Sequence, residues 1–256
     1  MAYGSFSWYE LMTTDAPAAL DFYGKVVGWT ARPAGVGDMD YTILNVGDYG
    51  IGGVMTLTRE ACDQGARPGW VGYVVVEDLD AAVEKLKSLG GAVHRPPQDI
   101  PGVLRFSVVA DPQGAVFIMF QNTSAMEPPP APPPTTPGMV AWRELMAGDG
   151  EKAFDFYSAM FGWTKSTAMP MGEMGVYQLF AYEGADQGGM MTKPPQIPAP
   201  YWGYYFVVDS VEAAIERLTA AGGKVVNGPV EVPGGAWIVN AVDPQGAFFS
   251  LTSAGK

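Results

Sequence analysis

The chain has 256 residues, 48% hydrophobic and 16% charged, with 27 acidic against 15 basic side chains. A net charge of −12 repels phosphate backbones and anionic lipid surfaces, so neither nucleic acid nor membrane is an expected partner. Cys62 is the single cysteine, which excludes an internal disulfide framework and a thiolate metal cluster. No apolar run reaches the roughly 20 residues of a membrane span, and MAYGSFSWYE lacks the basic start and apolar core of a secretion signal, so a cytoplasmic location is expected.

In chain order, 6–12 reads as a short apolar strand, and 16–27 has helical spacing with Leu20, Tyr23 and Val27 on one face. Residues 40–46 and 50–56 read as strands, and the glycine-rich PAGVGDMD at 33–40 contains no dinucleotide fingerprint. A second round follows: strand 71–76, helix 79–89 with Leu79, Val83, Leu86 and Leu89 inward, then strands 104–110 and 115–120. The turn DPQG at Asp111–Gly114 has type I chemistry and predicts a hairpin, while HRPPQD, which holds the single histidine His94, reads as a loop.

EPPPAPPPTTPG at 127–138 carries seven prolines in twelve residues and reads as a stiff extended linker. Beyond it the text recurs: WYELM with WRELM, DFYGKVVGWT with DFYSAMFGWT, and DPQG at Asp111 and again at Asp243. The chain is an internal duplication, with domains expected at 1–123 and 139–256 and a linker at 124–138. Each half splits again into two strand-helix-strand-strand-strand modules.

FY-x4-GW closing a first helix, with DP-x-G before a last strand, seen twice, resembles the glyoxalase, bleomycin-resistance and extradiol-dioxygenase superfamily, the vicinal oxygen chelate fold. The resemblance covers nearly all of the chain outside the linker. It implies an α+β fold of tandem domains, each with two βαβββ modules forming a curved mixed sheet around a cavity. It also implies four metal-ligand positions per cavity in metal-using members, usually His, Gln or Glu. Here those positions fall on Trp8, Val71, Ile118 and the stretch 53–55, and on Trp142, Gly203, Ser250 and the stretch 189–191. Indole donates and cannot ligate, so no metal and no other cofactor is expected.

Strand alternation puts Trp8, Glu10 and Met12 on one face, and Trp142, Glu144 and Met146 on the corresponding one, with Tyr73 and Tyr205 also turned toward the cavity. Tyr9 and Arg143 then face the opposite, outer side. A carboxylate beside indole and thioether is partly desolvated, which suits general acid/base work. Glu10 and Glu144 are therefore the candidate catalytic residues; the competing reading has them serving the fold through arginine or backbone partners. Trp8, Met12, Tyr73, Trp142, Met146 and Tyr205 are the candidate ligand-binding residues. Two readings stand side by side: a metal-independent small-molecule binding protein, and a glyoxalase-like lyase or isomerase moving a proton next to a carbonyl. The expected partner is a small molecule, with the tandem domains replacing a homodimer.

Overall fold

The computed structural model describes residues 3–35, 40–125 and 129–256. Part of the glycine-rich stretch and the first two residues of the proline-rich one therefore lie outside the described residues. The first repeat runs β1 (Phe6–Thr13), α1 (Ala16–Val26), β2 (Thr30–Pro33), β3 (Tyr41–Val46), β4 (Tyr49–Thr56), α2 (Arg59–Asp63), β5 (Gly69–Val75), α3 (Leu79–Ser88), β6 (Ala92–Ile100), β7 (Leu104–Ala110) and β8 (Val116–Asn122). The second runs β9 (Val140–Ala147), α4 (Gly150–Phe161), β10 (Thr164–Pro170), a single 3-10 turn (Gly172–Met174), β11 (Val176–Tyr182), β12 (Ala185–Thr192), β13 (Tyr201–Val207), α5 (Val211–Ala220), β14 (Lys224–Glu231), β15 (Trp237–Val242) and β16 (Phe248–Ser253). The strands form two eight-stranded mixed sheets, neither closed, in the orders β2-β3-β4-β1-β5-β8-β7-β6 and β10-β11-β12-β9-β13-β16-β15-β14.

Helix starts are set locally. Asp15, Asp78, Asp149 and Ser210 each accept a backbone N–H from the first turn of the following helix, which satisfies donors that have no partner within the helix. In α1 the buried residues are Ala16, Ala19, Phe22, Tyr23 and Val26; of the expected face, Tyr23 and Val27 are buried and Leu20 is half-buried. Small alanines at the first two turns leave room for the two rings to carry the packing. In α3 the inward residues are Leu79, Val83 and Leu86. Leu89 is exposed, because the helix ends before its turn is complete.

β6 replaces the expected loop around His94, which is exposed on it. Pro96 and Pro97 argued against a strand; they are accommodated because β6 is an edge strand and its register against β7 slips on both sides of Arg95. The proline-rich linker is not extended throughout. Thr136 closes a turn onto the Pro133 carbonyl at 2.9 Å, and Gly138 is pinned by its N–H to Val207 and its carbonyl to the Trp29 indole, both at 2.8 Å. The repeat offset is 134 residues at Trp8 and Trp142, 136 at Tyr41 and Tyr177, and 132 at Tyr73 and Tyr205. The second repeat is thus longer before β11, and the first is longer between β4 and β5, where it carries α2.

By internal contacts the chain forms two compact units. One comprises Met1–Trp8, Val71–Glu127 and Trp142–Gly203; the other comprises Tyr9–Trp70, Pro128–Ala141 and Tyr204–Lys256. Each unit therefore takes one βαβββ segment from each repeat, which answers how the modules associate in the core. In the first unit Tyr157 of α4 donates to Asp111 of the DPQG turn at 3.2 Å and accepts the Trp202 indole N–H at 2.9 Å, with Trp163 stacked on its ring at 5.3 Å. In the second, Tyr23 of α1 donates to Asp243 at 3.1 Å and accepts from Trp70 at 3.0 Å. The other oxygen of each aspartate accepts two backbone N–H groups of its own turn. The FY and DPQG motifs are thus two halves of one buried hydrogen-bonded lock, made once in each unit. Trp70 and Trp202 are its third member, and Trp202 is buried accordingly.

Candidate functional site

Alternation along β1 and β9 places the candidate carboxylates by register. In the second unit Glu10 pairs with Gly53, and Met12 with Met55, across the parallel β1–β4 ladder. In the first, Glu144 pairs with Gly189, and Met146 with Met191, across β9–β12. Residues paired this way share a sheet face, so each glutamate has a glycine directly beside it. Glu10 is 6% exposed, and Glu144 is half-buried.

Those glycines are occupied space, not open space. A Cβ on Gly53 would run into the phenol of Tyr41, and one on Gly189 into the phenol of Tyr177. Tyr41 is opposite Met55 on β3, so its ring reaches diagonally onto the Gly53 position, as long side chains do in antiparallel pairs. Tyr177 does the same on β11, where Leu179 is the residue directly opposite Gly189. Each phenol consequently lies on the same sheet face as the neighbouring glutamate. The preceding glycines, Gly52 and Gly188, serve a different need: a Cβ there would strike the carbonyl of Tyr9 or Arg143 on the adjoining strand.

In the first unit the group extends further. Trp142, half-buried, donates its indole N–H to the Tyr177 hydroxyl at 2.8 Å. Tyr201 at the start of β13 has its phenol pushed up to about 12, by burial first and by the charge of Glu144 second. Glu144 is therefore near enough to act on it electrostatically, and Trp142, Glu144, Tyr177 and Tyr201 form one aromatic and acidic group.

Trp8 is half-buried and Tyr73 is buried, both in the first unit, with Tyr73 in register with Ile118. Met12 and Met146 are half-buried. Tyr205, buried in the second unit, is in register with Ser250, whose hydroxyl accepts the Asn240 amide at 2.8 Å. Tyr9 is not an outer-surface residue: it is 2% exposed and its ring meets Tyr204 edge-on at 5.1 Å. Tyr41, Tyr177 and Tyr201 were not among the residues singled out from the sequence. The signal was present, since in both repeats a tyrosine precedes the second glycine of a Gly-Gly pair by twelve residues.

The family model of the glyoxalase/bleomycin resistance protein/dioxygenase superfamily matches residues 5–119 and 139–251. The chain belongs to that superfamily. Among superfamily relatives, it is 32% identical over 251 residues to CFP32 of Mycobacterium tuberculosis, which carries a provisional glyoxylase name, covering 97% of this chain and 94% of that one. It is 29% identical over 277 residues to the anthracycline biosynthesis protein DnrV of Streptomyces peucetius, covering 97% and 92%. Among solved superfamily structures, the Mn(II)-bound glyoxalase from Novosphingobium aromaticivorans matches with a TM-score of 0.70 at 15% identity, covering 99% of this chain and 83% of that one. The 2,3-dioxygenase LapB from Pseudomonas sp. KL28 matches with a TM-score of 0.67 at 14% identity, covering 98% and 92%. At that identity the structural likeness is one of fold. No described helix is long and apolar enough to cross a membrane.

Proposed function

We propose that this superfamily member binds a small organic molecule on the faces that carry Glu10 and Glu144, without a metal ion. The observation that carries the reading is the chemistry at the superfamily's ligand positions. Trp142 offers only an N–H, and that N–H is spent on Tyr177. The positions at Gly53 and Gly189 have no side chain and are overlaid by phenols. Val71 and Ile118 are buried hydrocarbon, and Ser250 is a neutral hydroxyl bonded to Asn240. Such donors do not fit a divalent ion, which takes imidazole, thiolate or carboxylate. Among the described residues, no three His, Cys, Asp or Glu side chains gather in a way that could hold one. Aromatic rings, thioethers and one carboxylate in each repeat instead suit an organic ligand with both flat apolar and polar parts. The names of the relatives, a glyoxylase and proteins of anthracycline biosynthesis, fit a carbonyl-bearing compound.

A second reading is favoured by the burial of Glu10 to 6% exposure. A carboxylate so placed is suited to take a proton from a carbon next to a carbonyl and return it elsewhere, which makes the protein a lyase or isomerase. Neutral phenols would then have to stabilise the enolate that a metal stabilises elsewhere in catalysis of this type.

Binding and turnover measured side by side on a panel of aromatic and aliphatic carbonyl compounds test both. The binding reading expects saturable quenching of tryptophan fluorescence with no product. The enzyme reading expects product, and a Glu10→Gln/Glu144→Gln variant that still binds but no longer turns over. Neither binding nor turnover across the panel would overturn both.

A further inference from the structure

We propose that Asn240, held between Ser250 and Asn227 on one face of the second repeat, pairs with the bound molecule, and that the molecule presents a planar cis amide, as a lactam or cyclic imide does. This deepens the small-molecule reading and rests on it, with Ser250 at one of the superfamily's ligand positions.

The row crosses four strands in register. Asn227 of β14 pairs with Asn240 of β15, Asn240 with Ser250 of β16, and Ser250 with Tyr205 of β13, so the four side chains share a sheet face within one compact unit. The Asn240 amide donates to the Ser250 hydroxyl at 2.8 Å and accepts the Asn227 amide N–H at 3.1 Å. Ser250 is 1% exposed, Asn240 is half-buried and Asn227 is exposed, so the row runs from the interior out to the edge strand. The first repeat crosses the matching strands with Tyr73, Ile118, Val108 and Arg95 in the same register. Hydrocarbon at Val108 and Ile118 builds the same sheet there, so the asparagine and serine that stand in their place serve something other than the fold. Burying them would cost stability without the bonds they make to each other.

A primary amide has two flanks and an outer edge. Asn240 spends one N–H toward β16 and one carbonyl lone pair toward β14, its two flanks, which leaves an N–H and a lone pair side by side on the outer edge. Turning both amides end for end exchanges donor and acceptor along the row and leaves the same pair at that edge. Among the described residues, neither asparagine side chain makes a further hydrogen bond. A cis amide meets such an edge with two bonds at once, because it carries its own N–H and C=O on one side. A ketone, an ester or a carboxylate brings acceptors alone and satisfies only the N–H. Along β15, Ile238 and Val242 lie on the same face as Asn240 and pair with Thr252 and Phe248 of β16. Hydrocarbon on both sides of one polar row suits a flat ring that carries the amide.

The probe is 2-quinolinone, titrated calorimetrically into the full chain alongside N-methyl-2-quinolinone, which keeps ring and carbonyl but lacks the N–H, and 2-naphthoate, which is anionic. The wild type is expected to bind 2-quinolinone at one site per chain, about ten-fold more tightly than either of the others. Asn240→Val installs the residue that the first repeat carries at this place, so the melting temperature should be retained. Affinity for 2-quinolinone should fall about 5- to 20-fold, and the preference over the N-methyl compound should vanish. Ser250→Ala, which removes the hydroxyl that holds Asn240 from one side, should give a smaller loss. Equal binding of 2-quinolinone by wild type and Asn240→Val overturns the assignment to Asn240, and leaves the small-molecule reading standing. Equal binding of the N-methyl compound, or a preference for 2-naphthoate, overturns the ligand class. Two equivalent sites per chain would overturn the restriction to the second repeat. No binding of any of the three by the wild type overturns the inference and, where the wider carbonyl panel is also silent, the reading beneath it.

Discussion

Tyr23 and Tyr157 are each held from two sides, by an aspartate that accepts and an indole that donates. Removing one hydroxyl strands both neighbours in a buried place, and an orphaned buried group costs more than the bond it made. Tyr157→Phe should therefore destabilise the protein by about 1–3 kcal/mol in urea unfolding, with Tyr23→Phe similar. The aspartates also make stability depend on pH. Burial raises Asp111 and Asp243 above the ordinary carboxylate value of 3.8, against the lowering effect of their hydrogen bonds. Their neutral form is thus favoured in the folded state. The contribution is fully present below 3.8 and is lost as pH rises through the raised value. Relative to an Asp111→Asn/Asp243→Asn variant, the wild type should lose melting temperature as pH is raised above 3.8 and through the raised value; a difference that grows in the opposite sense would contradict the assignment. Both motifs were legible in the sequence as helix end and turn. Their union was not, because Tyr23 and Asp243 lie in opposite repeats and nothing in local pattern says which module meets which.

At the level of the strands, alternation placed β1 and β9 correctly and put glutamate, methionine and tryptophan on one face, since period-two patterning needs only one buried side. What it could not reveal was the purpose of the Gly-Gly pairs. IGGVM and QGGMM look like weak strands, yet Gly52 and Gly188 allow backbone carbonyls to approach, while Gly53 and Gly189 make room for rings. Substituting the first glycine should cost more than substituting the second, because a carbonyl on a paired strand cannot swing away as a ring can. Gly188→Ala is expected to lower stability by 3 kcal/mol or more, beyond the roughly 1–3 kcal/mol of ordinary overpacking, and Gly189→Ala to stay within that range while displacing Tyr177. Denaturant unfolding of the two variants decides the order. β6 escaped notice for the converse reason, since prolines that forbid a central strand are tolerated on an irregular edge.

For the molecule as a whole, the consequence of the duplication is that each compact unit draws on both repeats. An isolated second repeat, residues 139–256, keeps Tyr157 but lacks Asp111, and keeps Asp243 but lacks Tyr23. A second copy of the same repeat supplies both missing partners at once, because the two locks have the same geometry. We expect 139–256 to sediment as a homodimer, and a stable monomer would show that the locks do not direct assembly. Superfamily membership could be read from motif strings spread along the chain. The tyrosine that overlies each glycine could not, because it comes from β3 or β11, two strands away from the glutamate, where no ligand position is expected.

On the proposed reading, side chains unsuited to a metal hold the superfamily's ligand positions and leave those faces to an organic ligand. Metal analysis of the purified protein by plasma mass spectrometry, with melting curves in Zn(II), Ni(II), Mn(II) and Fe(II), tests it most directly. Metal far below one equivalent per repeat, and no stabilisation by any of the four ions, is the expected result. Near-stoichiometric metal together with a clear rise in melting temperature would contradict it.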